Sequence, residues 1–363
     1  MRRIVSVSTV VTVVCMVIAF SGSFGGERAE GLFDVVSASD GFLMIGFSEH
    51  YDEPYIETLV VKTDLNGQIL WTREYGTPAD DIGRCIAITD DGLALLLSRV
   101  EASGDARLMA TLVDEQGRLV WQNNYGKYSN YSPWTAVYSG GAFVIAGQCM
   151  TNKKYLQASL LKIDLEGRLL WERDFGGESF DGAMDIIETS DYNLLSTGYS
   201  WIEDHEFLWV AVLDPNGKTL WQKEIGKADS LSLEGRAAAE TGDGYLVAVT
   251  ASDFSGVGYL VKLDLAGELI EETRLSEKFP AALSIQRDGG EFIVLLSYVT
   301  VSEEGFGLVR IGDRGEILDE RSFEVNSFEP HSFTRISSGR FLVVGTISDD
   351  DFGRQAFWMS VEF

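Results

Sequence analysis

The chain has 363 residues, of which 45% are apolar, and its formal net charge at pH 7 is −27. This apolar content supplies a folded core and excludes a disordered protein. A surface so acidic repels phosphate backbones and anionic lipid headgroups, so we expect no nucleic-acid partner and interpret the charge chiefly as a source of solubility.

The N-terminus carries an export signal. Arg2 and Arg3 precede an apolar run, Ile4–Phe20, which small residues follow from Ser21 to Ser23. This order is typical of a secretory signal peptide, so we predict that residues 1–23 are removed, with the cut after Ser21 or Ser23. The mature protein would then be periplasmic, bound to the cell envelope or extracellular. The run of 17 residues also reaches the lower limit for a membrane span, and an uncleaved anchor is the alternative.

Seven hairpins follow along the chain. In the first, Asp40-Gly41 separates two extended runs, which is a tight-turn signal. Equivalent turns are Asp91-Gly92, Gly140-Gly141, Asp191-Tyr192-Asn193, Asp243-Gly244, Gly289-Gly290 and Ser338-Gly339. The second run of each hairpin is continuously apolar, which indicates a strand that is buried on both faces.

A second unit follows each hairpin and repeats every fifty residues. It contains Asp-x-x-Gly, then Trp four residues after the Gly, and a closing Gly. Its members are Asp64, Gly67, Trp71 and Gly76; Asp114, Gly117, Trp121 and Gly126; Asp164, Gly167, Trp171 and Gly176; and Asp214, Gly217, Trp221 and Gly226. In the fifth and sixth units Glu271 and Asp319 stand in the place of Trp, and the seventh unit ends at its third strand.

Hairpin and unit together predict four strands per repeat and seven repeats. Because one small sheet cannot bury its own faces, the pattern predicts an all-β fold, a seven-bladed β-propeller that forms a single domain over residues 24–363. In register, residues 17–24 would supply the missing fourth strand of the last blade, but they overlap the signal. With cleavage preferred, we expect about three strands in that blade.

The Asp-x-x-Gly-x-x-x-Trp unit resembles the quinoprotein-type propeller repeats, over roughly residues 30–363. These occur in PQQ-dependent alcohol dehydrogenases and in non-enzymatic propeller lipoproteins of bacterial outer-membrane assembly. The enzymes of that family use a disulfide between adjacent cysteines and calcium ligands at the cofactor site. This chain has no adjacent cysteine pair, so the resemblance implies the non-enzymatic secreted or envelope branch and no cofactor.

The repeated residues themselves favour structural roles. Each Asp-x-x-Gly offers few oxygen ligands to calcium, and we interpret it as a turn in which Asp caps the backbone and Gly takes positive φ. The Trp residues could stack on carbohydrate, but identical positions in successive blades favour packing between blades. Only three histidines occur, at unrelated positions, and we expect no metal site.

A ligand site should lie where the repeats differ. The segments that lead into the first strands supply a mixed acidic, basic and aromatic set, which would form a cup if it converged: Asp81, Arg84, Tyr131, Trp134, Asp181, Asp185, Glu234, Arg236, His331 and Arg335. Such a cup suits a polar ligand. We therefore expect a monomeric binding or scaffold module with a protein partner, or a polysaccharide or peptide ligand, and membrane contact only through an uncleaved N-terminus.

Two other functions remain open from the sequence. A glycan-binding propeller would need Tyr131 and Trp134 to be exposed. A hydrolase or lyase at the channel mouth would need two carboxylates, for example Asp81 and Asp181, about 5–9 Å apart.

Overall fold

The fold is an all-β ring of seven sheets. The structure is a computed structural model, and it describes residues 20–25, 29–49, 55–152, 155–202, 205–226, 233–251, 258–297, 305–349 and 353–363. These residues form 28 strands in seven four-stranded antiparallel sheets. The predicted seven-bladed β-propeller is confirmed. No helix in this part of the chain could cross a membrane.

The strands follow one another in chain order. Blade 1 contains β2 (Ala29–Ala38), β3 (Gly41–Glu49), β4 (Ile56–Asp64) and β5 (Ile69–Tyr75), and blade 2 contains β6 (Asp80–Ile88), β7 (Ala94–Ala102), β8 (Asp105–Val113) and β9 (Leu119–Tyr125). Blade 3 contains β10 (Ser129–Ser139), β11 (Ala142–Met150), β12 (Leu156–Asp164) and β13 (Leu169–Phe175), and blade 4 contains β14 (Asp181–Glu188), β15 (Leu194–Ile202), β16 (His205–Leu213) and β17 (Thr219–Ile225). Blade 5 contains β18 (Leu233–Glu240), β19 (Gly244–Ala251), β20 (Gly258–Asp264) and β21 (Leu269–Arg274), and blade 6 contains β22 (Ala281–Asp288), β23 (Glu291–Ser297), β24 (Phe306–Ile311) and β25 (Ile317–Phe323). Blade 7 contains β26 (Phe328–Ser337), β27 (Arg340–Asp349), β28 (Gly353–Glu362) and, from the other end of the chain, β1 (Ser21–Phe24).

The antiparallel order gives the ring two different ends. First strands line the central channel, and fourth strands form the rim. The hairpins between first and second strands and the Asp-x-x-Gly turns share one end, which we call the turn end. The connections between second and third strands and between blades share the other, which we call the loop end.

The Asp-x-x-Gly segments are backbone turns, as predicted. The Asp64 Oδ1 atom accepts hydrogen bonds from the backbone N–H groups of Asn66 and Gln68, both at 2.8 Å. The same pair of bonds recurs at Asp114, Asp164, Asp214 and Asp264. Gly67 has φ 76°, a conformation that side chains with a Cβ disfavour. The carboxylates are therefore occupied in capping the turn.

The repeated aromatic residues join each blade to the next turn. The Trp121 indole N–H donates to the Leu165 carbonyl at 2.7 Å, and the Tyr125 hydroxyl donates to the Gly167 carbonyl at 2.6 Å. A Cβ placed on Gly167 would approach the Trp121 ring and overlap the side chain of Asn123. The predicted packing between blades is confirmed, and it explains why Trp and Gly recur together.

The core lies between neighbouring sheets. The second and third strands are almost entirely buried, for example Ala142–Ala146 and Leu208–Leu213. Trp209 and Trp358, on third strands, are buried core residues. Cys85 and Cys149 are buried thiols and form no disulfide.

The N-terminal strand closes the ring. Residues of β1 pair with β28 in antiparallel register, from Ser21 opposite Met359 to Phe24 opposite Ala356. The Ser360 N–H donates to the Phe20 carbonyl at 2.9 Å. The last blade therefore has four strands, and our expectation of about three was wrong. The physical reason is that β28 would otherwise leave an unpaired edge, which the residues directly after the apolar run satisfy.

Candidate channel site

Every first strand carries a β-bulge at the same level of the channel. The pairing of β6 with β7, for example, skips a residue between Gly83 and Cys85. The seven bulged residues, in blade order, are Phe33, Arg84, Trp134, Met184, Arg236, Leu283 and His331. All seven line a cavity of about 370 Å³ on the ring axis. A bulge re-aims its side chain, and here it directs one residue from each blade into the channel.

Arg84 is the bulged residue with an unneutralised charge. Its guanidinium carbon lies 5.0 Å from the ring centroid of Phe33 and 6.0 Å from that of Trp134, which are cation–π distances. Burial, reinforced by the charge of Arg99, lowers the pKa of Arg84. The described residues offer it no ion-pair partner, whereas Arg236 is paired with Glu234 at 3.0 Å. Arg84 therefore presents a cation to the channel.

His331 and Trp134 lie beside Phe33 and Arg84 on the same wall of the channel. The His331 and Phe33 ring centroids are 5.0 Å apart in an edge-to-face arrangement. Burial lowers the pKa of His331 to about 4, so the imidazole is neutral at pH 7. The Trp134 indole nitrogen is buried and has no hydrogen-bond partner among the described residues. The wall thus combines one cation with an unused N–H donor between apolar rings.

Asp34 and Asp185 directly follow the bulged residues of blades 1 and 4. Their carboxylates accept hydrogen bonds from neighbouring blades. Asp34 accepts from the Ile86 N–H of blade 2 at 3.1 Å and from the Ser332 hydroxyl of blade 7 at 2.8 Å. Asp185 accepts from the Ala238 N–H of blade 5 at 2.8 Å. Burial raises the pKa of each carboxyl to about 6, although both side chains keep some exposure to the channel. The two carboxylates therefore connect neighbouring blades through hydrogen bonds.

Three predicted site residues occupy equivalent positions inside their blades instead. Tyr131 is fully buried and donates to the Ser159 hydroxyl at 2.5 Å. Asp81 accepts from the Thr77 N–H at 2.7 Å. Asp181 accepts from the Gly177 N–H at 3.1 Å. Burial raises the pKa of all three groups. Tyr131 is hydrogen-bonded to the third strand of its own blade, and the two carboxylates hold the connection that precedes their own strand.

Two more predicted residues differ in position. Glu234 reaches the channel site only through its ion pair with Arg236. Arg335 lies at the turn end, where its guanidinium pairs with Asp288 of blade 6 at 2.7 Å. The channel therefore brings together Arg84, Trp134, Asp185, Arg236 and His331, and it does not bring together the other five. Phe33, Met184 and Leu283 complete the ring and were not predicted from the sequence, although an alignment of the seven hairpins places them at the positions of Arg84 and Trp134.

Comparisons with known proteins are consistent with the fold. No family model and no curated protein matches the chain. A structure of a protein of unknown function from Dyadobacter fermentans superimposes with a TM-score of 0.62 at 10% identity, over 96% of this chain and 99% of that one. The β-propeller domain of the Trilobed protease from Pyrococcus furiosus gives 0.57 at 13% identity, over 93% and 94%. The periplasmic gluconolactonase of Pseudomonas aeruginosa gives 0.50 at 12%, over 92% and 96%.

These similarities establish the architecture alone. The chain is a seven-bladed β-propeller. At such low identity the neighbours carry no information about its ligand, and the resemblance to quinoprotein-type repeats stays a prediction.

Proposed function

We propose that this propeller is an exported binding module that recognises an anionic group of a protein partner in its central channel. The observation that carries the proposal is the unpaired Arg84 guanidinium between Phe33 and Trp134. A planar guanidinium suits a carboxylate or phosphate, because it donates two parallel hydrogen bonds. The ring of Trp134 lies beside the guanidinium and adds a planar apolar contact on the same wall.

The site would bind by preorganisation. Its side chains come from rigid strands rather than loops, so little conformational entropy is lost on binding. Arg84 is also partly withdrawn from water, which strengthens its attraction to an anion. The acidic surface outside the channel would repel most anions, so the site would favour a ligand that presents its charge on a narrow projection, such as an acidic side chain or a carboxyl terminus.

The structure lends less support to the other two functions. The glycan alternative needed an exposed pair of aromatic residues, but Tyr131 is buried and only Trp134 reaches the channel. The hydrolase alternative needed two free carboxylates, and Asp81 and Asp181 are buried within separate blades, where each accepts backbone hydrogen bonds. The channel carboxylates Asp34 and Asp185 also hold backbone N–H groups.

The test is crosslinking in the native envelope, followed by capture and mass spectrometry, with wild type and two variants. Arg84→Ala removes the channel cation. Arg107→Ala is the matched control, because Arg107 is an exposed arginine of the same blade that lies outside the channel. Both variants should unfold at temperatures close to that of wild type.

We expect wild type and Arg107→Ala to capture the same amount of the same partner. Arg84→Ala should capture at least about tenfold less, because it loses a hydrogen bond from a charged donor. Equal capture by all three proteins would move the binding surface away from the channel. Capture of nothing by any of them would refute the binding function.

A further inference from the structure

Large apolar side chains are exposed at the turn end of six consecutive blades. They are the first two residues of the fourth strands, and their exposed fractions run from 39% to 59%. We call these eleven residues the apolar annulus: Ile69, Leu70, Leu119, Val120, Leu169, Leu170, Leu220, Leu269, Ile270, Ile317 and Leu318. Soluble monomers rarely expose apolar groups in an extended array, and such arrays mark interaction surfaces.

A second set of bulges produces the annulus. In blade 1, Ile69 pairs with Thr63 and Trp71 with Lys62, which leaves Leu70 without a partner on the neighbouring strand. The fourth strands of blades 2 to 6 show the same shift. Successive side chains of a regular strand point to opposite faces, but the bulge turns both members of each pair outward. The exposure is therefore a feature of the repeat.

The N-terminal apolar run joins the propeller at this annulus. The chain enters β1 from the turn end, since β1 is the fourth strand of blade 7. Phe20 packs against Gly67 of blade 1, as Trp71 packs against Gly117 of blade 2. In sequence, Ile18 and Ala19 precede Phe20 as the pair Ile69 and Leu70 precedes Trp71.

Signal cleavage would damage the ring at this point. A cut after Ser21 or Ser23 would remove Phe20 and part or most of β1, whose four residues pair with β28. It would also remove the aromatic ring that packs on Gly67. The structure thus favours a chain that retains its apolar run.

We propose that the run Ile4–Phe20 is kept as a membrane anchor and that the apolar annulus rests on the surface of the same lipid bilayer. The loop end of the channel would then face away from the membrane. Half-buried Trp71, Trp121, Trp171 and Trp221 flank the annulus, and tryptophan prefers the headgroup region. Because the protein carries a charge of −27, the matching surface is zwitterionic rather than anionic.

Depth-dependent fluorescence quenching tests this orientation. The full chain with Cys15→Ser and Leu170→Cys would carry a single environment-sensitive label in phosphatidylcholine vesicles, since Cys85 and Cys149 are buried. The matched control is Phe180→Cys, because Phe180 is 44% exposed at the loop end and Leu170 is 52% exposed at the turn end. The quencher is phosphatidylcholine with a nitroxide on its acyl chain.

We expect at least about twofold quenching and a blue shift for the label at position 170, as for a group at the acyl boundary, and neither for the label at position 180. Intact-mass analysis of the protein from its native envelope should show a chain that retains Ile4–Phe20. Absence of quenching at position 170 would overturn the docking surface. A mature chain that begins after Ser21 or Ser23 would overturn the anchor.

Neither result depends on the channel site, because Arg84 lies in the middle of a first strand and lines the channel, whereas the annulus lies on the fourth strands at the rim. Failure of the capture experiment with Arg84→Ala would leave the quenching result intact, and the reverse also holds.

Discussion

The channel carboxylates should make the stability of the propeller fall as the pH rises. Burial raises the pKa of Asp34 and Asp185 from 3.8 to about 6. A carboxyl group whose folded pKa exceeds its unfolded pKa contributes stability below pH 3.8, and this contribution is lost as the pH rises through about 6. The full difference corresponds to about 3 kcal/mol for each group. Both side chains are partly exposed to the channel, and solvent screening makes this value an upper limit.

The perturbation is the double variant Asp34→Asn and Asp185→Asn. Between about pH 5 and pH 7.5, each wild-type carboxyl should lose up to about 1.4 kcal/mol of its contribution, and the pair should lose about 3 kcal/mol. The variant lacks these titrations. It will be less stable at both pH values, because an asparagine keeps only one acceptor for the bonds that join neighbouring blades. The comparison therefore uses the change between the two pH values rather than the stability at either.

Urea unfolding of both proteins at both pH values measures this change. We expect the free energy of unfolding of wild type, relative to the variant, to be about 1–3 kcal/mol higher at pH 5 than at pH 7.5. The titration of His331 opposes this trend in wild type but is present in both proteins, so it cancels. A relative stability that does not change between the two pH values would show that the carboxylates are solvated and would refute the argument from burial.

Four further predictions concern buried groups and the contacts between blades. Burial lowers the pKa of His331 to about 4. The neutral imidazole therefore contributes stability above pH 6.5, and this contribution is lost as the pH falls toward 4. In urea titrations, His331→Gln should reduce the loss of stability at pH 5 by up to about 2 kcal/mol. Tyr125→Phe removes the bond to the Gly167 carbonyl and should cost about 1 kcal/mol, measured as a lower urea midpoint with an unchanged slope. Gly167→Ala should lower the free energy of unfolding by about 2 kcal/mol, because Gly167 has φ 78° and packs against Trp121. An unchanged thermal unfolding temperature would contradict this packing argument. The buried thiols of Cys85 and Cys149, whose pKa values burial raises, should resist alkylation until the protein unfolds, as peptide mapping would show.

The two sets of bulges determine which side chains the ring presents to the channel and at the rim. Bulges in the first strands direct one side chain per blade into the channel, and bulges in the fourth strands expose an apolar pair at the rim. If both proposals hold, the molecule presents a recognition site to the solvent from a membrane-anchored platform. A binding module held in this way gains affinity for partners on the same surface through its high local concentration.

The sequence by itself determined the architecture. Asp64, Gly67 and Trp71 recur at fifty-residue spacing because each has a local or nearest-neighbour role. The Asp caps its own turn, and each Trp packs on the Gly of the next turn. Such interactions depend on neighbours at a constant separation in the chain, so the repeat reports them directly. The seven hairpins were equally readable, because turn residues act over a few positions.

Only the tertiary structure decided which candidates meet. Asp81 and Arg84 are three residues apart in one strand, yet the carboxylate is buried within its blade and the guanidinium reaches the channel. The bulge between Gly83 and Cys85 determines this difference, and no composition rule marks where pairing skips a residue. The register of the repeat indicated residues 17–24 as a closing strand, but only the structure shows Ser21–Phe24 paired with an edge about 330 residues away, a contact between chain ends that no local interaction determines.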